Sequence, residues 1–342
     1  MFEPAKPTRD PAVSMTADPG GHRQRCWCLL LGGGLGARLA GDRPKLFALL
    51  AGRPLAEWSL RTFASHPGIT DLLIAVPRGW ERPFREGVLA PFMDSAPECA
   101  AKMRGVIPGG ERRQDSARLA LKAASEIQAS RPKGRPPLVL IHDAARPLVP
   151  AELITSLMET LGELSGEQLS GAPDEKAGAP ETTGAGGAEA ADGEAGAAGK
   201  KGRAAKSRRK GTVAEGPKPT AIIPVLPVGD TLKSLDRNAR VAATVSRESL
   251  WQAQTPQAFV LDVLLGLHEL AMEAGHAVTD DAMLYEWRGF PVRTVLGSPL
   301  NMKVTYPHDL ALLEAWLLRE QARSQSAEPA GSGAFDGRGG HA

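Results

Sequence analysis

The stretch GGGLGARLAGDRPK at residues 32–45 decides how this sequence folds and what it can bind. It follows the apolar run CWCLLL at residues 26–31, which is typical of a buried strand in a parallel sheet. Glycines placed directly after such a strand let backbone amides approach a phosphate group. Arg38 and Lys45 bring positive charge into the same loop. This charge suits a triphosphate, on which negative charge gathers as a phosphoryl group is transferred.

A second interpretation of the same loop is a dinucleotide-binding turn. Gly32, Gly34 and Ala37 match the G-x-G-x-x-A spacing of that turn. An NAD-dependent oxidoreductase would also need an acidic residue after its second strand, to hold a ribose hydroxyl. The second apolar run, DLLIAV at residues 71–76, is followed by PRGW and therefore by no acid. The oxidoreductase is the weaker of the two interpretations.

The apolar runs along the chain predict an α/β fold. Strands that alternate with helices are typical of a mostly parallel sheet with right-handed crossovers. The predicted strands lie at residues 26–32, 71–76, 103–107, 137–141, 220–233, 241–251 and 290–297. The predicted helices lie at residues 54–64, 114–127, 260–273 and 307–320.

Composition divides the 342-residue chain into one folded domain and three polar segments. We expect residues 1–25 to be a disordered leader, because they hold no apolar segment of the kind that targeting peptides carry. Residues 163–219 are rich in Gly, Ala, Glu and Lys, and they lack the apolar area that would offset their conformational entropy. We expect them to form a disordered insert, and residues 323–342 a disordered tail. The domain then covers residues 26–322, interrupted by the insert.

Charge and cysteine content exclude several classes of partner. The net charge is only +2, and the basic cluster KKGRAAKSRRK at residues 200–210 has no aromatic residue to stack on bases, so we expect no nucleic acid. A scaffold that recruits an acidic partner through this cluster stays as an alternative. No apolar run is long enough to span a membrane. Three cysteines without metal-ligand spacing, Cys26, Cys28 and Cys99, favour a reducing cytoplasm.

The segment PGGERRQDSARLAL at residues 108–121 is a candidate site for a flat base. Gly110 follows a predicted strand, and Ser116 lies near the start of a predicted helix. Small residues at a helix N-terminus can contact the edge of a base through the backbone. The alternative is an ordinary helix cap formed by Asp115 or Ser116.

The segment HDAARP at residues 142–147 follows the strand PLVLI. Asp143 lies just past the carboxyl end of this strand, where open α/β sheets bind their ligands. A carboxylate there is a suitable ligand for Mg²⁺ that bridges phosphates. A turn or cap residue is the alternative for Asp143, and we expect His142 to be structural.

Together these segments resemble the 2-C-methyl-D-erythritol 4-phosphate cytidylyltransferases of the non-mevalonate isoprenoid pathway. The resemblance covers residues 26–318 outside the insert. It rests on seven motifs in this order: GGGLGARL with PK, GGERRQDSA, HDAARP, VLPVGDTLK, VSRESLWQAQTPQAF, TDDA and NMKVTYPHDL. It implies a Rossmann-like nucleotidyltransferase fold, with a mostly parallel twisted sheet, helices on both faces and a protruding β-arm.

The resemblance also implies site residues. The triphosphate of CTP would be bound by Gly33, Gly34, Arg38 and Lys45, and its α-phosphate by Lys303. The cytosine would face Gly110 and Ser116, with Arg113 supporting their loop, and Asp143 would hold Mg²⁺. The methylerythritol phosphate would be held by Arg247, Thr255 and Thr279.

The implied reaction transfers CMP from CTP to 2-C-methyl-D-erythritol 4-phosphate and releases pyrophosphate. The implied assembly is a homodimer in which a β-arm at residues 224–246 crosses to the second subunit and Arg247 is supplied in trans. A ribitol 5-phosphate cytidylyltransferase is the alternative, and Ala145 within HDAARP favours the methylerythritol enzyme. We expect no fused cyclodiphosphate synthase domain after Leu318.

Overall fold

A computed structural model describes residues 24–33, 43–132, 134–164 and 218–327 of the chain. Its strands are β1 (Cys26–Leu31), β2 (Leu49–Leu50), β3 (Arg53–Pro54), β4 (Asp71–Val76), β5 (Met103–Pro108), β6 (Leu138–Asp143), β7 (Ala221–Pro227), β8 (Leu232–Leu235), β9 (Val241–Val245), β10 (Trp251–Ala253), β11 (Gln257–Val260) and β12 (Val292–Leu296). Its α-helices are α1 (Leu55–Ser65), α2 (Glu81–Phe84), α3 (Ala90–Ser95), α4 (Arg113–Ala129), α5 (Ala151–Gly162), α6 (Leu261–Glu273), α7 (Ala282–Trp287) and α8 (Pro307–Ala327).

The main sheet has the strand order β10-β7-β11-β6-β1-β4-β5, and β12 also pairs with β7. Strands β6, β1, β4 and β5 are parallel, as predicted. Strand β11 was not predicted, and it runs antiparallel to both β6 and β7. The fold is therefore α/β with a mixed sheet, in which the strands from the N-terminal part of the chain are parallel.

The core surrounds the central strands. Every residue of β1, β4 and β6 is buried, which requires cover on both faces of the sheet and explains why these sequences are mostly apolar. Helices α1 and α4 pack against β1, while α5 packs against β7 and β11. The cysteines of β1 are buried and unpaired, as is Cys99.

A buried acid lies at the amino end of the sheet, away from the carboxyl ends of its parallel strands. Asp71 at the start of β4 has no exposed surface and accepts a hydrogen bond from Arg131 Nη2 over 2.9 Å. Arg104 also bonds to this carboxylate. Burial raises the pKa of Asp71, but hydrogen bonds from Arg131, Thr70 and Arg104 outweigh it and lower the pKa. This cluster ties the start of β4 to the end of α4.

Strands β8 and β9 form a separate hairpin with exposed apolar side chains. Leu235 is 59% exposed and Val241 is 60% exposed. The predicted arm corresponds to this separate exposed hairpin, but it begins after Pro227, because residues 221–227 belong to β7 of the main sheet. The single strand predicted at 241–251 was wrong: β9 ends at Val245, and a turn separates it from β10.

The C-terminal helix packs on the region of β2. Val304, Leu313 and Leu317 form a small cluster with Leu50 and Leu55. The helix continues to Ala327, beyond the point at which we predicted the tail.

The predicted leader, insert and tail lie almost wholly outside the described residues. Leu164, which we placed in the insert, is buried against the core. Within the described ranges, no helix is both apolar and long enough to cross a bilayer.

Candidate active site

A cleft of about 180 Å³ opens at the carboxyl ends of β1 and β6. The two strands are parallel neighbours, so Leu31 at the end of β1 lies beside Asp143 at the end of β6. Six of the predicted site residues line this cleft: Gly33, Lys45, Arg113, Ser116, Asp143 and Lys303. Gly110 is not among the lining residues, although its neighbour Glu111 is. Gly34 and Arg38 lie outside the described residues.

Asp143 is held between two cationic side chains. Arg113 Nε donates to Oδ1 over 2.9 Å, and Lys303 Nζ donates to Oδ2 over 2.7 Å. Burial alone would raise the pKa of Asp143, but the positive charges of Arg113 and Lys303 outweigh burial and hold the pKa well below its ordinary value. The carboxylate is therefore ionised at neutral pH.

Two lysines from opposite ends of the chain face this cleft. Lys45 Nζ donates to the carbonyl oxygen of Val304 over 3.4 Å, although the two residues are 259 positions apart. Val304 follows Lys303 directly, and its backbone N–H donates to the carbonyl oxygen of Ala145 over 2.8 Å. This backbone bond fastens the segment that carries Lys303 to the loop that follows Asp143.

Close packing around Ser116 requires glycine at two motif positions. A β-carbon on Gly33 would lie 2.7 Å from Ser116 Oγ, and one on Gly110 would lie 2.3 Å from Asp115 Cβ. The Gly110 N–H donates to Ser116 Oγ over 3.0 Å. Asp115 also accepts from the backbone N–H of Arg112 over 3.1 Å, so this segment caps α4 while it lines the cleft.

A chain of hydrogen bonds beneath the cleft fixes the backbone at Asp143. His142 Nε2 lies 3.0 Å from the carbonyl oxygen of Arg146, which can only accept, so Nε2 carries the proton. The Thr255 hydroxyl then donates to His142 Nδ1 over 3.1 Å and accepts from the Asp143 N–H over 3.0 Å. Burial lowers the pKa of His142 from 6.5 to about 4, which keeps the ring neutral. His142 is structural, as expected.

The three residues predicted to hold the second substrate do not line the cleft of this chain. Thr255 is buried, and its hydroxyl is engaged below the cleft floor. Arg247 is exposed in the turn between β9 and β10, where its guanidinium bonds to the Gly229 carbonyl. Thr279 is exposed before α7, and its hydroxyl contacts Met283 Sδ at 3.1 Å. Their roles in substrate binding stay predictions.

Sequence reasoning missed an acid and a histidine behind the cleft. Arg113 Nη1 donates to Asp281 Oδ2 over 2.7 Å, and His268 Nε2 lies 3.0 Å from Asp281 Oδ1. Burial raises the pKa of Asp281, but the neighbouring Arg113 and His268 outweigh it and lower the pKa. The available signals were the acid within TDDA and a polar residue on the apolar face of α6.

Asp143 is the cleft residue best suited to a divalent cation. Among the residues that the structure describes, no three or more His, Cys, Asp or Glu side chains cluster as a metal site. Mg²⁺ at a nucleotide commonly takes one or two carboxylates and completes its shell with phosphates and water. Asp143 fits this donor set. Its Oδ2 is bonded to Lys303, whose half-exposed side chain can turn to a phosphate and leave this oxygen available to the ion.

Comparison with known proteins gives the family. A family model described as 2-C-methyl-D-erythritol 4-phosphate cytidylyltransferase (IspD) matches residues 27–172 and 205–319. This chain belongs to that family. The unmatched residues 173–204 of this cytidylyltransferase lie within the predicted insert.

Individual members of the cytidylyltransferase family align over most of the chain. The 2-C-methyl-D-erythritol 4-phosphate cytidylyltransferase of Halorhodospira halophila is 33% identical over 310 residues, covering 90% of this chain and 99% of the relative. That of Syntrophotalea carbinolica is 30% identical over 291 residues, covering 85% and 95%. The crystal structure of the Thermus thermophilus enzyme aligns with a TM-score of 0.54 at 27% identity, covering 86% of this chain and 98% of that one. The predicted α/β nucleotidyltransferase fold is confirmed.

Proposed function

We propose that this cytidylyltransferase transfers CMP from CTP to 2-C-methyl-D-erythritol 4-phosphate and releases pyrophosphate. The observation that carries the proposal is the meeting of Lys45, Lys303 and Asp143 in one cleft, in a chain that belongs to this family. The relatives named above act on the same alcohol phosphate according to their names.

The reaction is an in-line displacement at phosphorus. An oxygen of the substrate's phosphate forms a bond to the α-phosphorus of CTP, and the bond from that phosphorus to the pyrophosphate oxygen breaks. The attacking phosphate is already an anion, so no general base is needed and no covalent enzyme intermediate forms. The protein has to position two anions and offset the charge that gathers on the reacting phosphorus.

The lysines supply this positive charge. Lys45 and Lys303 both line the cleft, and Lys45 Nζ bonds to the carbonyl oxygen of Val304, the residue after Lys303. A phosphate bound in the cleft would therefore lie near both ammonium groups. Lys303 would exchange the Asp143 carboxylate for the α-phosphate of CTP, while Arg113 keeps its hydrogen bond to the other carboxylate oxygen. Donors arranged in advance around a developing charge cost no reorganisation during the reaction.

The two glycine segments bind the nucleotide. Backbone amides of Gly33 and Gly34 would approach the phosphates, and Arg38 would add charge from the same loop. The loop that Ser116 fastens to α4 would present its backbone to the cytosine, at the position of Gly110.

We infer that Mg²⁺ binds at Asp143. When bound, the ion would neutralise phosphate charge and align the triphosphate. Asp143 is prepared for this role, because its carboxylate is ionised and its backbone is fixed by Thr255.

We infer a homodimer that forms through the β8–β9 hairpin. An isolated two-stranded hairpin is marginally stable in water, and exposed apolar side chains indicate an interaction surface. Arg247 lies directly after this hairpin and away from its own cleft, which supports its delivery to the partner's site. Analytical ultracentrifugation should show a dimer that Leu235→Ser converts to a folded monomer; a monomeric wild type would exclude this assembly.

We infer that the enzyme works in a reducing compartment such as the cytoplasm. Cys26, Cys28 and Cys99 are unpaired and buried, and burial raises the pKa of the Cys26 thiol, which keeps it unreactive.

Pyrophosphate release tests the proposed reaction. CTP, Mg²⁺ and 2-C-methyl-D-erythritol 4-phosphate should give sustained release, and UTP or ATP in place of CTP should give much less. Ribitol 5-phosphate replaces the acceptor in a parallel reaction. Faster release with ribitol 5-phosphate would overturn the substrate assignment in favour of the related cytidylyltransferase, and no release with either acceptor would overturn the reaction itself.

A further inference from the structure

A row of paired charged and polar groups runs from the cleft into the interior of the protein. Lys303, Asp143, Arg113, Asp281 and His268 follow one another, joined by contacts of 2.7, 2.9, 2.7 and 3.0 Å. The first three members line the cleft, whereas Asp281 has no exposed surface and His268 is 1% exposed. The two inner residues therefore cannot touch either substrate.

Arg113 connects the two carboxylates through one rigid group. Its Nε donates to Asp143 and its Nη1 to Asp281, while the buried Nη2 has no hydrogen-bond partner among the described residues. The guanidinium is planar, so a contact that fixes Nη1 also fixes the direction in which Nε points. The orientation of Arg113 toward Asp143 is thus set by Asp281.

Asp281 is itself held by His268. The histidine lies on α6 and bonds through Nε2 to Asp281 Oδ1. Its Nδ1 is buried without a partner in the described part of the chain, next to a cavity of about 70 Å³. The ring keeps its proton on Nε2, where a carboxylate accepts it. Among the described residues, the hydrogen bond to Asp281 is therefore the one that orients the His268 side chain.

We propose that Asp281 and His268 are positioning residues for nucleotidyl transfer, which hold Arg113 in the orientation that aligns the Asp143 carboxylate. The proposal rests on the proposed function for its reaction. Outer residues that orient a ligand-binding group commonly change metal affinity or activity by about 10–100-fold when they are replaced.

A second buried acid provides a matched control. Asp71 is also fully buried and also paired with arginines, but it lies at the amino end of β4, at the opposite end of the strands from the cleft. Asp71→Ala therefore breaks a similar ion pair without touching the row that leads to Asp143. A residue that only stabilises the fold should behave like Asp71.

The experiment compares Asp281→Ala, Asp281→Asn and Asp71→Ala in the full chain. Isothermal titration with Mg²⁺ and CTP, without the alcohol phosphate, measures nucleotide affinity, and pyrophosphate release measures kcat. We expect Asp281→Ala to weaken Mg²⁺-dependent CTP binding and to lower kcat, each by about 10–100-fold. Asp281→Asn should recover part of both, because its amide oxygen still accepts from Arg113. Asp71→Ala should lower Tm and leave both readouts at the wild-type value.

Wild-type affinity and kcat in Asp281→Ala would overturn the proposal, as would equal losses in Asp71→Ala. If Asp281→Ala does not fold, His268→Leu takes its place in the experiment, because this variant retains the buried charges of both Asp281 and Arg113. Wild-type affinity and kcat in His268→Leu would equally overturn the proposal. If the wild type releases no pyrophosphate, the proposed function fails, and the titration alone decides on the positioning role.

Discussion

Replacing Lys303 by alanine separates stabilisation of the transition state from stability of the fold. The Lys303 side chain is 42% exposed, and Asp143 retains its 2.9 Å hydrogen bond to Arg113 when the lysine is removed. Ion pairs that water can reach contribute about 0–1 kcal/mol. We therefore expect the free energy of unfolding to fall by less than about 1 kcal/mol.

The same substitution should affect turnover far more. An ammonium group placed at the phosphorus where charge develops is comparable to one oxyanion-hole donor, whose loss lowers kcat by about 10²–10³, or about 2.7–4 kcal/mol. The rise in activation free energy should thus exceed the fall in the free energy of unfolding by about 2 kcal/mol or more.

Pyrophosphate release at saturating CTP and alcohol phosphate measures the first quantity, and urea unfolding measures the second. Lys122→Ala, an exposed lysine on α4, serves as the control and should match the wild type in both. Near-wild-type turnover of Lys303→Ala would refute the assignment. A rise in activation free energy no larger than the fall in the free energy of unfolding would show that Lys303 stabilises the fold instead.

Three further outcomes are expected. Arg247→Lys should raise KM for the alcohol phosphate and leave CTP affinity unchanged, because an ammonium group cannot form the two parallel hydrogen bonds that a guanidinium makes to a phosphate. Steady-state kinetics and a CTP titration measure the two quantities. An equal weakening of binding for both ligands would contradict this role. The unfolded chain protonates His142 near pH 6.5 and the folded chain only near pH 4, so about 3 kcal/mol of stability should be lost as pH falls across that range. Urea unfolding should show a smaller pH dependence in His142→Gln than in the wild type; an unchanged slope would be inconsistent with a buried neutral ring. Gly33→Ala should lower kcat/KM by up to about 10²-fold, because its β-carbon would lie 2.7 Å from Ser116 Oγ. Adding Ser116→Ala should restore part of the activity, whereas additive losses would mean that the contact is unimportant.

Three parallel strands, β1, β4 and β6, could be predicted because they are buried on both faces. CWCLLL, DLLIAV and PLVLI are apolar runs, apart from Asp71 at the start of the second, and β1, β4 and β6 lie where these runs predict strands. The position of Asp143 at a carboxyl end followed from the same pattern.

The half of the sheet that contains the antiparallel strands β10 and β11 depends on contacts between distant parts of the chain. Strand β11 has only four residues directly before α6, and what makes it a strand is its pairing with β6 and β7. The local sequence pattern does not indicate such pairing. Residues 257–259 were therefore assigned to no predicted element, and Val260 was assigned to the predicted helix. The same applies to the row behind the cleft, since Arg113 and Asp281 are 168 positions apart.

The main sheet is built from two segments of the chain, which meet where β6 pairs with β11. The segment that ends at Leu164 supplies β1, β4, β5 and β6, and the segment that begins at Lys218 supplies β7, β10, β11 and β12. Lys45 belongs to the first segment and Lys303 to the second. Two polypeptides split between these segments would each be inert, and recovered turnover on mixing them would report that their edges had joined.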